Sequence, residues 1–380
     1  MTHTIRYSTY RTAPALAALA ALALMVAPSA LADSYTSTSA TTAWNANRWN
    51  NSADAAPYTS AYTANNNVTF SSGSYSFAGM GSSIDVGNVT VNPGVSVTFT
   101  AGSTFATGGN VRTFDIGAGG LFDFNGQSLS TAAGTGFIKT GDGVFGTGGG
   151  NFTGGFTLNA GTVIIRGTTG LGSGGSNTLT LNGGVMASNG NRDMANTRFP
   201  GGITIGGNVQ FGEMSTVVSL ASSTATLSFA NNVSLGAANR TLTLGNGGEV
   251  TLSGVISNTG SGGVTFSANA NGTKEFRITN AANTFTGDIT INGGEVRFTA
   301  NGSMGNAAND IIIDGGRFSK ASDSTTVTLG AGRDVYVGNG ADTGISSPGS
   351  GTFVINSGIL DKTSETGSWA KQGGGVLELG

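Results

Sequence analysis

The chain is poor in the side chains that do chemistry. It has no cysteine, and its one histidine, His3, lies in a segment expected to be removed. The mature chain then lacks the parts of a Ser-His-Asp triad, a Cys-His pair, or a His- or Cys-ligated zinc site. Carboxylates remain. Glycoside cleavage needs two of them about 5–10 Å apart, yet the 20 acids are scattered, many of them single like Asp85, with no pair closer in sequence than Asp310 and Asp314. Stacking could still gather acids from different turns. Three acids, or two acids plus an arginine, in one groove would favour a polysaccharide-cleaving enzyme. Lys139 and Lys371 open the related segments KTGDGV and KQGGGV. A catalytic lysine needs a depressed pKa and a partner, and the simplest reading of one lysine per unit is a solvated loop residue. DFNG at 123–126 and GDG at 141–143 are short acidic turns. Calcium asks for six to eight oxygens, and no D-x-[DN]-x-[DN]-G run supplies them. Glycine strings such as GTGGGNFTGG arise by chance among 65 glycines, with no helix following to cradle a phosphate. No catalytic, cofactor-binding or metal residue is therefore expected.

The elements that would position any site are short strands. Val89, Val91, Val95, Val97 and Phe99 alternate, as do the apolar residues of TLTLNGG at 178–184 and DITINGGEVRF at 288–298. Period-2 alternation buries one side of each strand, and regular Gly/Asn punctuation predicts an all-β fold. Asn-Gly and Gly-Gly also signal hairpins, so an antiparallel sandwich or barrel is the competing architecture. The spacing stays monotonous from Val68 onward, too long a stretch for one ordinary sandwich, and this favours a parallel β-helix. At roughly 20 residues per turn, residues 33–380 would make about 17 turns, a stack about 80 Å long.

The strongest pattern is a repeated phrase. FTGGFTLNAGTV begins at Phe152 and FTGDITINGGEV at Phe285, aligned without a gap. Phe152 and Phe285 are expected to pack in the core and to superpose in the stack. Asn159 and Asn292 share a slot and are expected to be buried at turns, bonding backbone groups of their own loops.

The N-terminus reads as a signal peptide over residues 1–32. Arg6 and Arg11 precede the apolar run Ala15–Ala27, and Ala30-Leu31-Ala32 supplies the cleavage pattern. Its removal leaves 15 basic and 20 acidic residues, a net charge of −5. No basic clustering suggests nucleic acid. Residues 33–66 carry Trp44, Trp49, Tyr58 and Tyr62. They are expected to cap the N-terminal end of a solenoid, with an aromatic carbohydrate platform as the alternative. Residues 67–380 form the repeat region.

KTGDGVFGTGGGNFTGGFTLNAGTVIIRG at 139–167, NTFTGDITINGGEVRF at 283–298 and KQGGGVLELG at 371–380 resemble the units of the autotransporter-associated β-strand repeat proteins of Gram-negative bacteria. TGLGSGGSNTLTLNGG at 169–184 and GSMGNAANDIIIDGG at 302–316 resemble the segments that follow each unit, while GVTFSANANGTKEFRI at 263–278 departs from the pattern. The resemblance implies a right-handed parallel β-helix, exported and displayed at the cell surface, associated with the outer membrane, or secreted. It carries over no catalytic residue. The expected role is non-enzymatic adhesion, or contact with a cell-surface or matrix polysaccharide. The alternative is a β-helix lyase or glycosidase. The chain stops inside a repeat opening at Gly380, so a truncated solenoid is expected, whose missing region would contact the outer membrane.

Overall fold

The structure, a computed structural model, describes residues 34–37, 49–51 and 66–380, apart from 79–83, 102–103, 107–109, 130–135, 151, 173, 196, 213–224, 246–247, 269–274, 322–323 and 364–365. The expected signal segment and most of the expected cap, with Trp44, Tyr58 and Tyr62, lie outside the described residues.

The alternating runs become strands of mostly three to five residues, and these stack into a β-solenoid. Three faces recur in chain order. A first face belongs to a 14-stranded sheet, a second face stacks 13 strands, and a third stacks eight from Arg192–Met194 to Ala370–Gln372. Toward the C-terminus a three-stranded sheet (Val327–Leu329, Thr352–Ile355, Val376–Leu379) follows the third face, where first-face strands stood earlier. Among the described strands every ladder is parallel except that of Ser34–Ser37 with Trp49–Asn51. The sandwich alternative is thereby excluded. Parallel stacking satisfies each strand from the turns on either side, so short strands suffice.

Turns are longer than expected. On the second face, 12 steps lead from the strand starting at Ser74 to the one starting at Ile359, about 24 residues each instead of roughly 20. Longer links between faces account for the excess, such as the one from Asn258 to Val264.

One apolar core runs through the stack. Its N-terminal part is aromatic: Phe77, Phe99, Phe122, Phe124, Phe114 and Phe145 are all buried, with Phe77–Phe99 and Phe99–Phe124 stacked at 5.4 and 5.2 Å. Later turns replace rings by β-branched residues, such as the column Ile289–Ile311–Val335. Each such side chain contributes about 1.5–3 kcal/mol on burial.

The repeated phrase does not superpose. Phe156–Leu158 lies on the first face and Thr162–Ile165 on the second, but their counterparts Ile289–Ile291 and Glu295–Phe298 lie on the second and third. The lysine openings continue the shift. Phe137–Thr140 is on the first face and Ala370–Gln372 on the third. The path from one copy of the phrase to the other is thus five turns plus one face. Local geometry survives this rotation. Gly172 and Gly305 both adopt positive φ (+87° and +75°) directly above the carbonyls of Phe152 and Phe285, where a Cβ would come within 2.5 Å. Both phenylalanines are buried, as expected.

Candidate functional site

The lysine openings are structural corners. Lys139 stands inside a core column between Phe114 and Leu158 and is 1% exposed. Its ammonium donates to the carbonyls of Thr140 (2.5 Å), Gly141 (2.6 Å) and Ala160 (3.3 Å). Burial lowers its pKa to about 8, against the pull of Asp115 and Asp142. Lys371 repeats the contacts, donating to Gly373 (2.6 Å) and Gly375 (2.5 Å), but is exposed. The solvated-loop reading therefore fails for Lys139. At the end of an alternating strand it points inward, and the next turn closes over it. Gly161 on that next turn lies against the lysine, where a Cβ would come within 2.7 Å of Nζ, while Gly141 and Gly143 of the motif make room for the turn before.

Asn159 and Asn292 are exposed, against expectation, and Asn159 accepts a hydrogen bond from Asn182 at 2.9 Å. The buried asparagines are others. Asn309 donates to Phe285 and Met304 carbonyls, Asn283 to Ser303, Asn231 to Phe199, and Asn177 to Leu171 and Arg198. They tie down carbonyls at the corners of the stack, some of which also accept a backbone N–H, as Phe285 does from Asn306 and Phe199 from Gly202. Arg333 does the same on a larger scale. It is fully buried and donates to the carbonyls of Met304 (3.2 Å), Asn306 (3.0 Å) and Asn309 (2.7 Å) around the short 3-10 turn Asn301–Met304. Burial lowers its pKa to about 10, with Asp310 opposing.

Of the two acidic turns, only the one at Asp123 is internal. Asp123 is buried, its carboxylate accepting the Asn125 N–H at 2.9 Å and pairing with Arg166 at 2.8 Å. Burial raises its pKa, while Asn125 and Arg166 oppose the rise. Asp142 is exposed on its corner. Among the described residues, no cluster of three or more His, Cys, Asp or Glu could hold a metal ion.

Stacking nonetheless gathers acids that the sequence scatters. Asp288, Asp310 and Asp334 form a column in which each of the first two accepts the next one's backbone N–H at 3.0 Å. Asp314 instead pairs with Lys362 at 2.6 Å.

The densest charged grouping lies on the third face. The strands Glu249–Leu252, Glu275–Ile278, Glu295–Phe298 and Arg317–Lys320 stack in register. Val250, Phe276, Val296 and Phe318 enter the core. Alternation therefore turns two columns away from the core: Glu249–Glu275–Glu295–Arg317, and beside it Thr251–Arg277–Arg297, which ends at the buried Ser319. Arg277 bridges Glu249 (3.1 Å) and Glu275, and Arg297 bridges Glu275 (3.0 Å) and Glu295 (2.7 Å), all through Nε. Burial raises the Glu275 carboxyl. Arg277 and Arg297 oppose the rise, and Glu249 adds to it. At Arg297 burial works against the charge, but Glu295, Glu275 and Glu249 outweigh it and raise the pKa. Glu275 and Glu295 are less than a tenth exposed. Sequence reading missed this site. Its signal is the alternation in EVTL, EFRI and EVRF, which fixes the outward side; only the lengths of the intervening turns bring the letters into register.

Comparison with known proteins gives one similarity. The chain is 28% identical over 246 residues to the adhesin BmaC autotransporter of Brucella suis biovar 1 (strain 1330), covering 54% of this chain and 5% of that protein. Fold and similarity together fit an autotransporter passenger-type β-helix. The aligned part is a small fraction of the relative's length. No family model matches the chain, and no solved structure matches it. In this stack the densest charges lie on the third face, in a ladder repeated over successive turns.

Proposed function

We propose that the chain is an exported, surface-displayed β-solenoid that works by adhesion, contacting cell-surface or matrix polysaccharide, and is not an enzyme. The observation that carries this reading is the parallel stack itself, together with its similarity to an adhesin autotransporter. A repeat stack offers an extended surface built of neighbouring turns. Weak contacts along it add through multivalency. Two measurements test the reading. An antibody raised against the purified chain should label intact cells of the bacterium that makes it. Beads coated with the chain should adhere to polysaccharide-coated wells above beads coated with albumin. Labelling only after permeabilisation, or adhesion equal to albumin, would sink it.

The alternative of a polysaccharide-cleaving enzyme has one observation in its favour, the grouping of Glu249, Glu275 and Glu295 with two arginines on successive turns. Against it, each carboxylate is tied to an arginine Nε. A general acid and a nucleophile need environments that push their pKa values apart, whereas here shared arginines couple the carboxylates. Release of reducing ends or unsaturated products from pectic or matrix polysaccharides would establish the enzyme.

A further inference from the structure

The third-face ladder uses only part of each arginine. Arg277 and Arg297 meet the glutamates through Nε. Their Nη groups donate to no described residue, and none of them is sealed from solvent. The two arginines are register partners on strands one turn apart, a backbone spacing of about 4.8 Å. They line a cavity of about 110 Å³ with Thr279, Phe298, Thr299 and Ala321. Phe298 is fully buried and closes the floor. Thr299 donates its hydroxyl to the Thr279 carbonyl at 2.8 Å, while the Thr279 hydroxyl has no partner among the described residues. Charge is therefore segregated across the strands. The carboxylates occupy the column at the strand starts, and the two arginines line the cavity together with the threonines at the strand ends.

We propose that this cleft is a subsite for the carboxylate of an acidic polysaccharide. Guanidinium presents N–H donors in a planar fork that matches a carboxylate. The glutamates hold each fork through Nε, so little side-chain freedom is lost on binding. The threonine hydroxyls suit the sugar hydroxyls that flank a uronate carboxylate, and Ala321 offers an apolar contact beside them. The proposal deepens the adhesive reading and rests on it for its setting, because one such contact is weak and a polyuronate chain supplies many.

The test is affinity electrophoresis of the full chain through gels containing sodium polygalacturonate, dextran sulfate or neutral dextran. Polygalacturonate should retard the protein, neutral dextran should not, and added salt should weaken the retardation. Ala321→Leu fills the cleft and leaves the ladder intact. It should weaken binding at least tenfold, as should the double variant Arg277→Gln, Arg297→Gln, with circular dichroism confirming that each folds. No retardation by polygalacturonate, retardation by dextran sulfate alone, equal retardation by dextran, or an Ala321→Leu protein that binds like the parent would each overturn the proposal. The bead assay separates the two readings. Adhesion that survives Ala321→Leu leaves the adhesive function standing without this cleft. A retarded chain that never labels intact cells leaves the cleft standing without surface display.

Discussion

Three glycines can be used to dissect what holds one turn on the next. Gly94 has φ +73° and open space where a Cβ would stand. Gly143 has ordinary φ, but a Cβ would come within 2.3 Å of the Gly117 carbonyl and 2.5 Å of Ile116 Cγ2 on the preceding turn. Gly141 combines the two, with φ +69° and a Cβ 2.3 Å from the Ile116 carbonyl. A left-handed L-residue costs about 1–2 kcal/mol, partly offset by about 0.4–1 kcal/mol from the stiffer unfolded chain, so Gly94→Ala should cost about 1 kcal/mol. Overpacking costs about 1–3 kcal/mol, which puts Gly143→Ala near 2 kcal/mol. Gly141→Ala adds both and should cost about 3 kcal/mol or more, because the obstructing carbonyl is held in the stack by its neighbours. Solenoid stability is a sum of turn and interface terms, so the loss should be local. Hydrogen exchange of peptides covering Arg112–Ile116 and Leu121–Asp123 should accelerate about 150-fold in Gly141→Ala and about fivefold in Gly94→Ala. Unchanged protection in Gly143→Ala, or equal effects at Gly94 and Gly141, would refute the idea that direct backbone approach sets the spacing of these turns.

Other predictions follow from the buried cations and the repeat. The Lys139 pKa is lowered to about 8 from 10.5. Between those values the unfolded chain binds more protons than the folded one, so stability should rise with pH by about 3 kcal/mol in total; urea titrations at pH 7.5 and 10.5 should show this rise in the parent and not in Lys139→Met. Arg333→Lys should destabilise by about 2–4 kcal/mol, since one ammonium cannot reach the carbonyls of Met304, Asn306 and Asn309 together; a thermal midpoint within a degree of the parent would contradict this. Phe285→Ala should cost about 3–5 kcal/mol and Asn292→Ala under about 0.5 kcal/mol by urea unfolding, although both belong to the same repeated phrase.

Sequence alone determined the local terms of this protein. Alternation at period 2 fixed which side of strands such as Phe137–Thr140 and Glu249–Leu252 is buried, because successive side chains point to opposite faces. It marked Phe152 and Phe285 as core residues, and the absence of cysteine leaves this chain without disulfides or thiol ligands. Alternation also contained the inward direction of Lys139, two residues after the buried Phe137, but reading lysine as a solvated type concealed it. Only the tertiary structure decided which residues meet across turns. Vertical neighbours are set by the length of chain between strands, and those lengths vary with each excursion. The second copy of the repeated phrase therefore lands one face further round than the first, and Glu249, Glu275 and Glu295, unevenly spaced along the chain, fall into one column. Local pattern gives a side chain its direction. The summed path around the solenoid gives it its partners, and the arginine ladder with its cleft belongs to that second kind of information.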